Sequence, residues 1–195
     1  MKILCTDLEG TLAPEIWQEI GRNYNIPELS STTREIPDFE DLMNMRMEAL
    51  QNNAIKYSDL KDFLKTIDPY QGAKEFLNSL KDRYQIVIVS DTFYELALPL
   101  IEKLGDYPIL CHHLNIKDDY IESYSKRQNE PKRNVVKGFK SMNYECFCMG
   151  DSYNDIQMID ESNGAFIFAP KEIKNSRPDI LSFDSYNDLK NYLLK

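Results

Sequence analysis

Glycine, histidine and tryptophan are all scarce in this chain of 195 residues, with seven, two and one respectively. No two glycines are spaced G-x-G, and no G-x-x-x-x-G-K-[ST] occurs. Glycine-rich loops that cradle dinucleotides or nucleoside triphosphates are thereby excluded. The two histidines, His112 and His113, are neighbours. Such a pair fits neither a Ser-His-Asp site nor an H-E-x-x-H metal helix. No N-x-[ST] acceptor is present. No apolar run approaches the roughly 18 residues of a membrane span, and Met1-Lys2-Ile3-Leu4-Cys5 is too short to be a signal peptide. Positive charge is also short, since 23 Lys+Arg face 32 Asp+Glu for a net charge of −9. That sign disfavours a nucleic-acid partner, whose binding is driven by phosphate attraction. The expectation is a cytoplasmic protein that binds neither membrane nor nucleic acid. No heptad seam or large apolar patch gives its oligomeric state.

Four cysteines stand at positions 5, 111, 146 and 148, each in or beside a strand-like apolar run. They read as reduced core thiols. Cys146 and Cys148 could be grouped with Cys111-His112-His113 as a zinc site, but the spacing is not that of a zinc module. The role of Cys111, His112 and His113 is left unassigned.

What is present is a globular composition, 42% hydrophobic, in a length that suits one domain with a small insertion. Short apolar runs occupy 3–6, 86–89, 146–149 and 165–168, with a weaker fifth at 109–111. They are continuous rather than alternating, as strands covered on both faces should be. Helical patterns separate them at Gly72 to Lys81, Tyr94 to Leu104, from Pro131 onward, and from a Ser185 N-cap. The alternation predicts an α/β fold with a mainly parallel sheet flanked by helices. Residues 14–70 lack a continuous apolar strand run. They read as three helices, Glu15 to Tyr24, Phe39 to Leu50 and Ser58 to Ile67, with Ser58 as an N-cap. Their placement just after the first strand allows a cap over a site or an ordinary helical layer of the core.

Ligands of open α/β sheets bind beyond the carboxyl ends of the strands. Three runs deliver polar groups there: Asp7-Leu8-Glu9-Gly10-Thr11, Ser90-Asp91-Thr92 and Gly150-Asp151-Ser152-Tyr153-Asn154-Asp155. Asp7, Glu9, Asp151 and Asp155 cannot share a small volume without a cation, most simply Mg²⁺. Lys132, at the start of the Pro131 helix, would offset charge on a phosphate group. With no catalytic histidine, the nucleophile must be an oxygen, and a carboxylate can form an acyl phosphate.

In this order the motifs resemble those of the haloacid-dehalogenase-like phosphotransferases, which map onto Asp7-x-Glu9-Gly10-Thr11, Ser90, Lys132 and Gly150-Asp151-x-x-Asn154-Asp155. Pro14-Glu15-Ile16-Trp17, Thr32-Thr33-Arg34-Glu35-Ile36-Pro37-Asp38 and Ser90-Asp91-Thr92-Phe93-Tyr94-Glu95 are similar to the phosphoserine phosphatase branch that also acts as a phosphoserine:homoserine phosphotransferase. The resemblance is weakest after about Pro170. It implies a Rossmann-like core formed by 1–13 and 71–195 and a helical cap formed by 14–70. It implies Asp7 as the nucleophile that accepts the phosphoryl group. Glu9 would be general acid and then general base. Asp7, Glu9 (through its backbone carbonyl) and Asp151 would hold Mg²⁺, supported by Asp155. Ser90 and Lys132 would hold the phosphate oxygens, and Asp91 and Asn154 would also belong to the substrate-binding set. Arg46 would pair a substrate carboxylate and Glu15 a substrate ammonium. The second acid is usually Asp, whereas this chain has Glu9. The implied reaction is hydrolysis of O-phospho-L-serine, with transfer to L-homoserine as a related version. Two other readings are hydrolysis of another small phosphate ester and a phospho-aspartate signalling module.

Overall fold

The computed structural model describes every residue except Thr33, Arg34 and Pro37. Those three positions of the Thr32–Asp38 stretch therefore lie outside the described residues. The described residues form seven strands: β1 (Lys2–Thr6), β2 (Gln85–Phe93), β3 (Ile109–Lys117), β4 (Tyr120–Ser125), β5 (Glu145–Gly150), β6 (Ala165–Ile167) and β7 (Leu181–Phe183). They join in one sheet, in the order β4-β3-β2-β1-β5-β6-β7. All neighbours are parallel except the antiparallel pair β3 and β4. β1 is central, with Cys5 opposite Val87 on one side and Cys148 on the other.

Side chains of a strand alternate between faces, and both faces of this sheet are covered. On one face Leu4, Ile86, Ile88, Phe147 and Met149 pack in the main apolar cluster. That cluster takes in α5 (Ala73–Leu80), α6 (Tyr94–Leu104) and α10 (Tyr186–Leu193). On the other face Ile3, Cys5, Val87, Val89, Cys146 and Cys148 pack against Val135 and Val136 of α7 (Pro131–Ser141) and Met158 and Ile159 of α8 (Ile156–Asp160). A short α9 (Lys171–Ser176) follows β6. The continuous apolar runs thus reflect burial on both faces.

Between β1 and α5 lie α1 (Ile16–Tyr24), α2 (Pro27–Ser30), α3 (Phe39–Asn52) and α4 (Tyr57–Leu64). Their apolar faces join the main cluster through residues such as Ile16, Ile20, Met43, Leu60 and Leu64. Polar ties hold this segment to the sheet side. The Tyr57 N–H donates to the Asp119 carbonyl at 2.8 Å, and the Lys103 ammonium donates to the Lys65 and Ile67 carbonyls, each at 2.7 Å.

Several details differ from the sequence expectation. Among its described residues the 14–70 stretch holds four helices rather than three, the extra turn α2 opening with Pro27 at a position where its missing N–H costs nothing. Ser58 does not cap α4, because the helix begins at Tyr57. Asp119, in the β3–β4 turn, does the capping instead, accepting from the Ser58 N–H at 2.9 Å and the Ser58 hydroxyl at 2.7 Å. β4 and β7 were not anticipated. Both are exposed edge strands with few buried residues, so neither shows a continuous apolar run. β6 stops at Ile167, and Phe168 turns the chain with φ +57°. The four cysteines are free and buried. Cys111 on β3 is three strands from Cys148 on β5, roughly 14 Å at about 4.8 Å per strand, which separates the candidate zinc ligands. No helix among the described residues is long and apolar enough to cross a membrane.

Candidate active site

The polar residues gather beyond the carboxyl ends of β1, β2 and β5, at a cavity of about 730 Å³ between the sheet and helices α1 and α3. Asp7 follows β1 directly. Its N–H donates to the Met149 carbonyl of β5 at 3.0 Å, and its Oδ1 accepts from the Leu8 N–H at 2.8 Å. These bonds fix a carboxylate that is only 5% exposed.

Asp151 and Asp155 come from the turn after β5. Asp155 is fully buried. Its Oδ2 accepts from the Asp151 and Ser152 N–H groups and the Ser152 hydroxyl, at 3.1, 3.0 and 2.9 Å. This reciprocal arrangement of Ser152 and Asp155 is a capping box that closes the turn Tyr153–Asp155. Asp151 faces Thr11, whose hydroxyl lies 3.5 Å from its Oδ1. Two glycines make the close approaches possible. A Cβ on Gly10, at φ +71°, would overlap the Asp151 carboxylate, and a Cβ on Gly150 would overlap that of Asp155.

Lys132, on the first turn of α7, is 4% exposed. Its ammonium sits 2.7 Å from Asp155 Oδ1, 2.9 Å from Asp7 Oδ2 and 3.9 Å from Asp91 Oδ2. Burial opposes its charge, but the attraction of Asp155, Asp7 and Asp91 outweighs that and holds its pKa well above the ordinary lysine value. Lys132 is therefore a permanent cation.

One oxygen each of Asp7, Asp151 and Asp155 lies within 4.8 Å of the others. Burial and then the charge of Asp155 raise Asp7 well above the usual carboxylate range, with Lys132 pulling the other way. Burial and Asp155 likewise push Asp151 up to about 7. These shifts register negative charge that one lysine does not offset. Three hard oxygen donors so placed, two buried and one half-buried, fit an oxygen-seeking divalent cation. The Glu9 carboxylate is not part of this trio. It turns toward α1, where its Oε1 accepts from the Ile16 N–H at 2.7 Å. Burial and the charge of Glu15 push its pKa up to about 7, against the Ile16 bond and Arg46.

The remaining sequence candidates also line the cavity. Ser90 and Asp91 fall in β2 where its register with β3 shifts between Val89 and Phe93. The strand therefore runs past the expected end at Val89, and these two residues sit in its irregular part. Asn154 is exposed at the rim. Arg46 projects from α3, and Glu15 stands at the N-cap position of α1 without a side-chain cap bond. Arg46 is 8% exposed; its Nη2 donates to the Ser31 carbonyl at 2.7 Å, and its guanidinium lies over the Trp17 ring at 4.8 Å. Burial lowers its pKa to about 10, opposed by Glu9 and Glu15, so it too remains charged at neutral pH. Among the described residues its Nε has no hydrogen-bond partner. Sequence reasoning did not give roles to Thr11, Trp17 or Ser152. Thr11 and Ser152 stood inside the motifs as non-titratable residues, and Trp17 gains its place only through a contact 29 positions away along the chain.

Residues 1–163 match the haloacid dehalogenase-like hydrolase family. The chain belongs to that family. Within it the chain stands in the phosphoserine phosphatase branch. It is 42% identical over 197 residues to phosphoserine phosphatase ThrH of Pseudomonas aeruginosa, covering 100% of this chain and 96% of that one. It is 40% identical to a phosphoserine phosphatase of Pseudomonas syringae pv. tomato, covering 100% of this chain and 83% of that one. A solved structure described as a phospho-aspartyl intermediate analogue of phosphoserine phosphatase superposes with a TM-score of 0.80, over 98% of each chain, at 21% identity. That likeness shows the shared fold.

The glycine constraint gives a test. Gly150→Ala displaces the Asp155 carboxylate and should lower kcat/KM for phosphate-ester hydrolysis by about 100-fold, the scale for a misplacement of about 1 Å. Gly138→Ala, where a Cβ meets nothing within 4 Å, should leave it unchanged. Steady-state kinetics of the two purified variants check the difference.

Proposed function

We propose that this protein is a Mg²⁺-dependent phosphatase of O-phospho-L-serine that works through an aspartyl-phosphate on Asp7. The observation that carries the reading is the trio Asp7, Asp151 and Asp155, with the Lys132 ammonium wedged between two of them. A phosphate ester placed there meets a carboxylate nucleophile and fixed positive charge together. The Asp7 and Asp151 carboxylates and the Glu9 backbone carbonyl would hold Mg²⁺, with Asp155 supporting the set. When bound, the ion supplies positive charge that offsets the phosphate and the clustered carboxylates.

An Asp7 oxygen attacks phosphorus, and the bond from phosphorus to the serine oxygen breaks. Glu9 delivers its proton to that leaving oxygen. Glu9, now a carboxylate, takes a proton from water as the water oxygen attacks the phosphoryl group. The Asp7–phosphorus bond breaks, and phosphate leaves with Asp7 restored. A pKa near 7 suits both duties of Glu9 at neutral pH. Ser90 and Lys132 hold phosphate oxygens, with Asp91 beside them. Asn154 contacts the substrate at the rim.

The amino-acid end of the substrate would meet Arg46 and Glu15. Arg46 has a fixed, buried guanidinium with an unsatisfied Nε, a suitable partner for a carboxylate. Glu15 complements an ammonium. In this reading the 14–70 segment is a cap that carries specificity, while residues 1–13 and 71–195 carry the chemistry. L-Homoserine is one methylene longer than serine and offers the same ammonium and carboxylate. The same contacts would place its hydroxyl as an alternative to water.

Asp7→Asn should abolish phosphate release from phosphoserine, and chelation of divalent ions should stop the native protein until Mg²⁺ is restored. A malachite-green assay reads both, and full activity in Asp7→Asn would remove the nucleophile assignment. Arg46→Ala should raise KM for phosphoserine by more than tenfold, the effect of a lost charged hydrogen bond of about 1.5–3 kcal/mol. It should leave KM for p-nitrophenyl phosphate, which has no carboxylate, within about twofold. With phosphoserine as donor and L-homoserine added, ³¹P NMR should show O-phosphohomoserine growing at the expense of free phosphate. Unchanged phosphate yield with no new signal would restrict the acceptor to water.

A further inference from the structure

His112 takes no part in the reaction above, yet it is buried directly behind the site. It lies on β3 and is 3% exposed. The Arg127 backbone N–H donates to its Nδ1 at 3.1 Å. An imidazole nitrogen that accepts carries no proton, so in the neutral ring the proton sits on Nε2. Nε2 faces Asp91 Oδ1 at 3.9 Å. That oxygen is buried and, among the described residues, has no hydrogen-bond partner. The other oxygen of Asp91 faces the Lys132 ammonium. The ring plane is set by Phe39 and Phe93, with centroids 5.8 and 5.9 Å away. Burial lowers the His112 pKa, and Asp91 only partly opposes this, so the ring stays neutral.

We infer that His112 is a positioning residue, whose Nε2–H holds Asp91 so that Asp91 in turn fixes the Lys132 ammonium against Asp7. Lys132 is flanked by Asp155 and Asp7 at bonding distance, and Asp91 lies 3.9 Å from it. If Asp91 swings free, the ammonium loses its third neighbour and can leave Asp7. A neutral donor suits this place better than a cation, because it steers Asp91 without competing with Lys132 for its charge. The gap from Nε2 to Oδ1 must shorten by about 1 Å to form a bond of ordinary length. Such bonds are often long in unliganded sites and tighten when substrate binds. Arg127 completes the arrangement, since its Nη2 donates to the Pro131 carbonyl at 2.6 Å, one residue before Lys132. One segment therefore fixes both the tautomer of His112 and the start of the helix that carries the lysine.

The inference rests on the phosphatase reading for its kinetic test but acts at the phosphate end, independent of the amino-acid part of the substrate. His112→Phe keeps the aromatic packing and removes the donor. It should lower kcat about tenfold for both phosphoserine and p-nitrophenyl phosphate, with KM changed less than twofold. His112→Gln, which can return an N–H near the Nε2 position, should recover most of the loss. A folded His112→Phe with native kcat, or a His112→Gln no better than His112→Phe, would overturn the assignment. Turnover of p-nitrophenyl phosphate but not phosphoserine would refute the substrate and leave this comparison intact. A second readout needs no turnover. Long-range ¹H–¹⁵N NMR of the native protein should show His112 protonated on Nε2 alone at pH 7, and a ring protonated on Nδ1 would equally refute the role.

Discussion

The site depends on one buried cation. Lys132 sits between Asp7 at the end of β1 and Asp155 in the turn after β5, and each of the three is less than a tenth exposed. Removing one partner of a buried ion pair leaves an uncompensated charge and costs about 3–5 kcal/mol. The pairing therefore fixes the relative placement of β1, β5 and α7, as well as their charges. It also leaves a deficit, because three carboxylates gather where one ammonium is near. The upward pKa shifts of Asp7 and Asp151 express that deficit. A divalent cation would offset two of the remaining negative charges, so an incoming phosphate would meet a less repulsive site.

Backbone geometry does as much as charge in bringing these groups together. β1 is central, so the residue that follows it emerges between the ends of β2 and β5. Asp7 is anchored to β5 by its own N–H, and Asp155 is anchored by the amides of its own turn. Neither carboxylate relies on a flexible tail for its position. Gly10 and Gly150 are the complement of this precision, since any side chain there would occupy the space of Asp151 or Asp155. Pre-set groups of this kind contribute to rate because they need little reorganisation when charge moves.

How much of this was legible in the sequence follows from range. Strands β1, β2 and β5 are buried on both faces, so each wrote a continuous apolar run. β4 and β7 lie at exposed edges and left no such signal. The trio of aspartates was legible because strand-end positions converge in any parallel sheet, whatever the loops do. The cap of α4 was not, because its acceptor Asp119 lies 61 residues away from Ser58. The same holds for the stacking of Arg46 on Trp17 and for His112 behind Asp91. Each is a tertiary contact between residues whose local sequence is unremarkable. Glu9 is an intermediate case. Its place in the motif was visible, but its turn away from the aspartates is set by the start of α1.

That turn would link the proposed chemistry to the proposed recognition. The Glu9 carboxylate is held by the Ile16 N–H, and Ile16 is the first residue of the helix whose N-cap position Glu15 occupies. A displacement of α1 therefore moves the proposed acid and the proposed ammonium partner as one unit. Trp17, one residue further, carries the face on which Arg46 lies. The three groups assigned to the leaving side of the substrate thus depend on a single helix start, while the phosphate side depends on Lys132 and strand ends. A substrate engaging Glu15 and Arg46 would steady the backbone amide that aims Glu9. In the proposed arrangement, recognition of the amino acid and delivery of the proton would both depend on the start of α1, which would tie turnover to the correct leaving group.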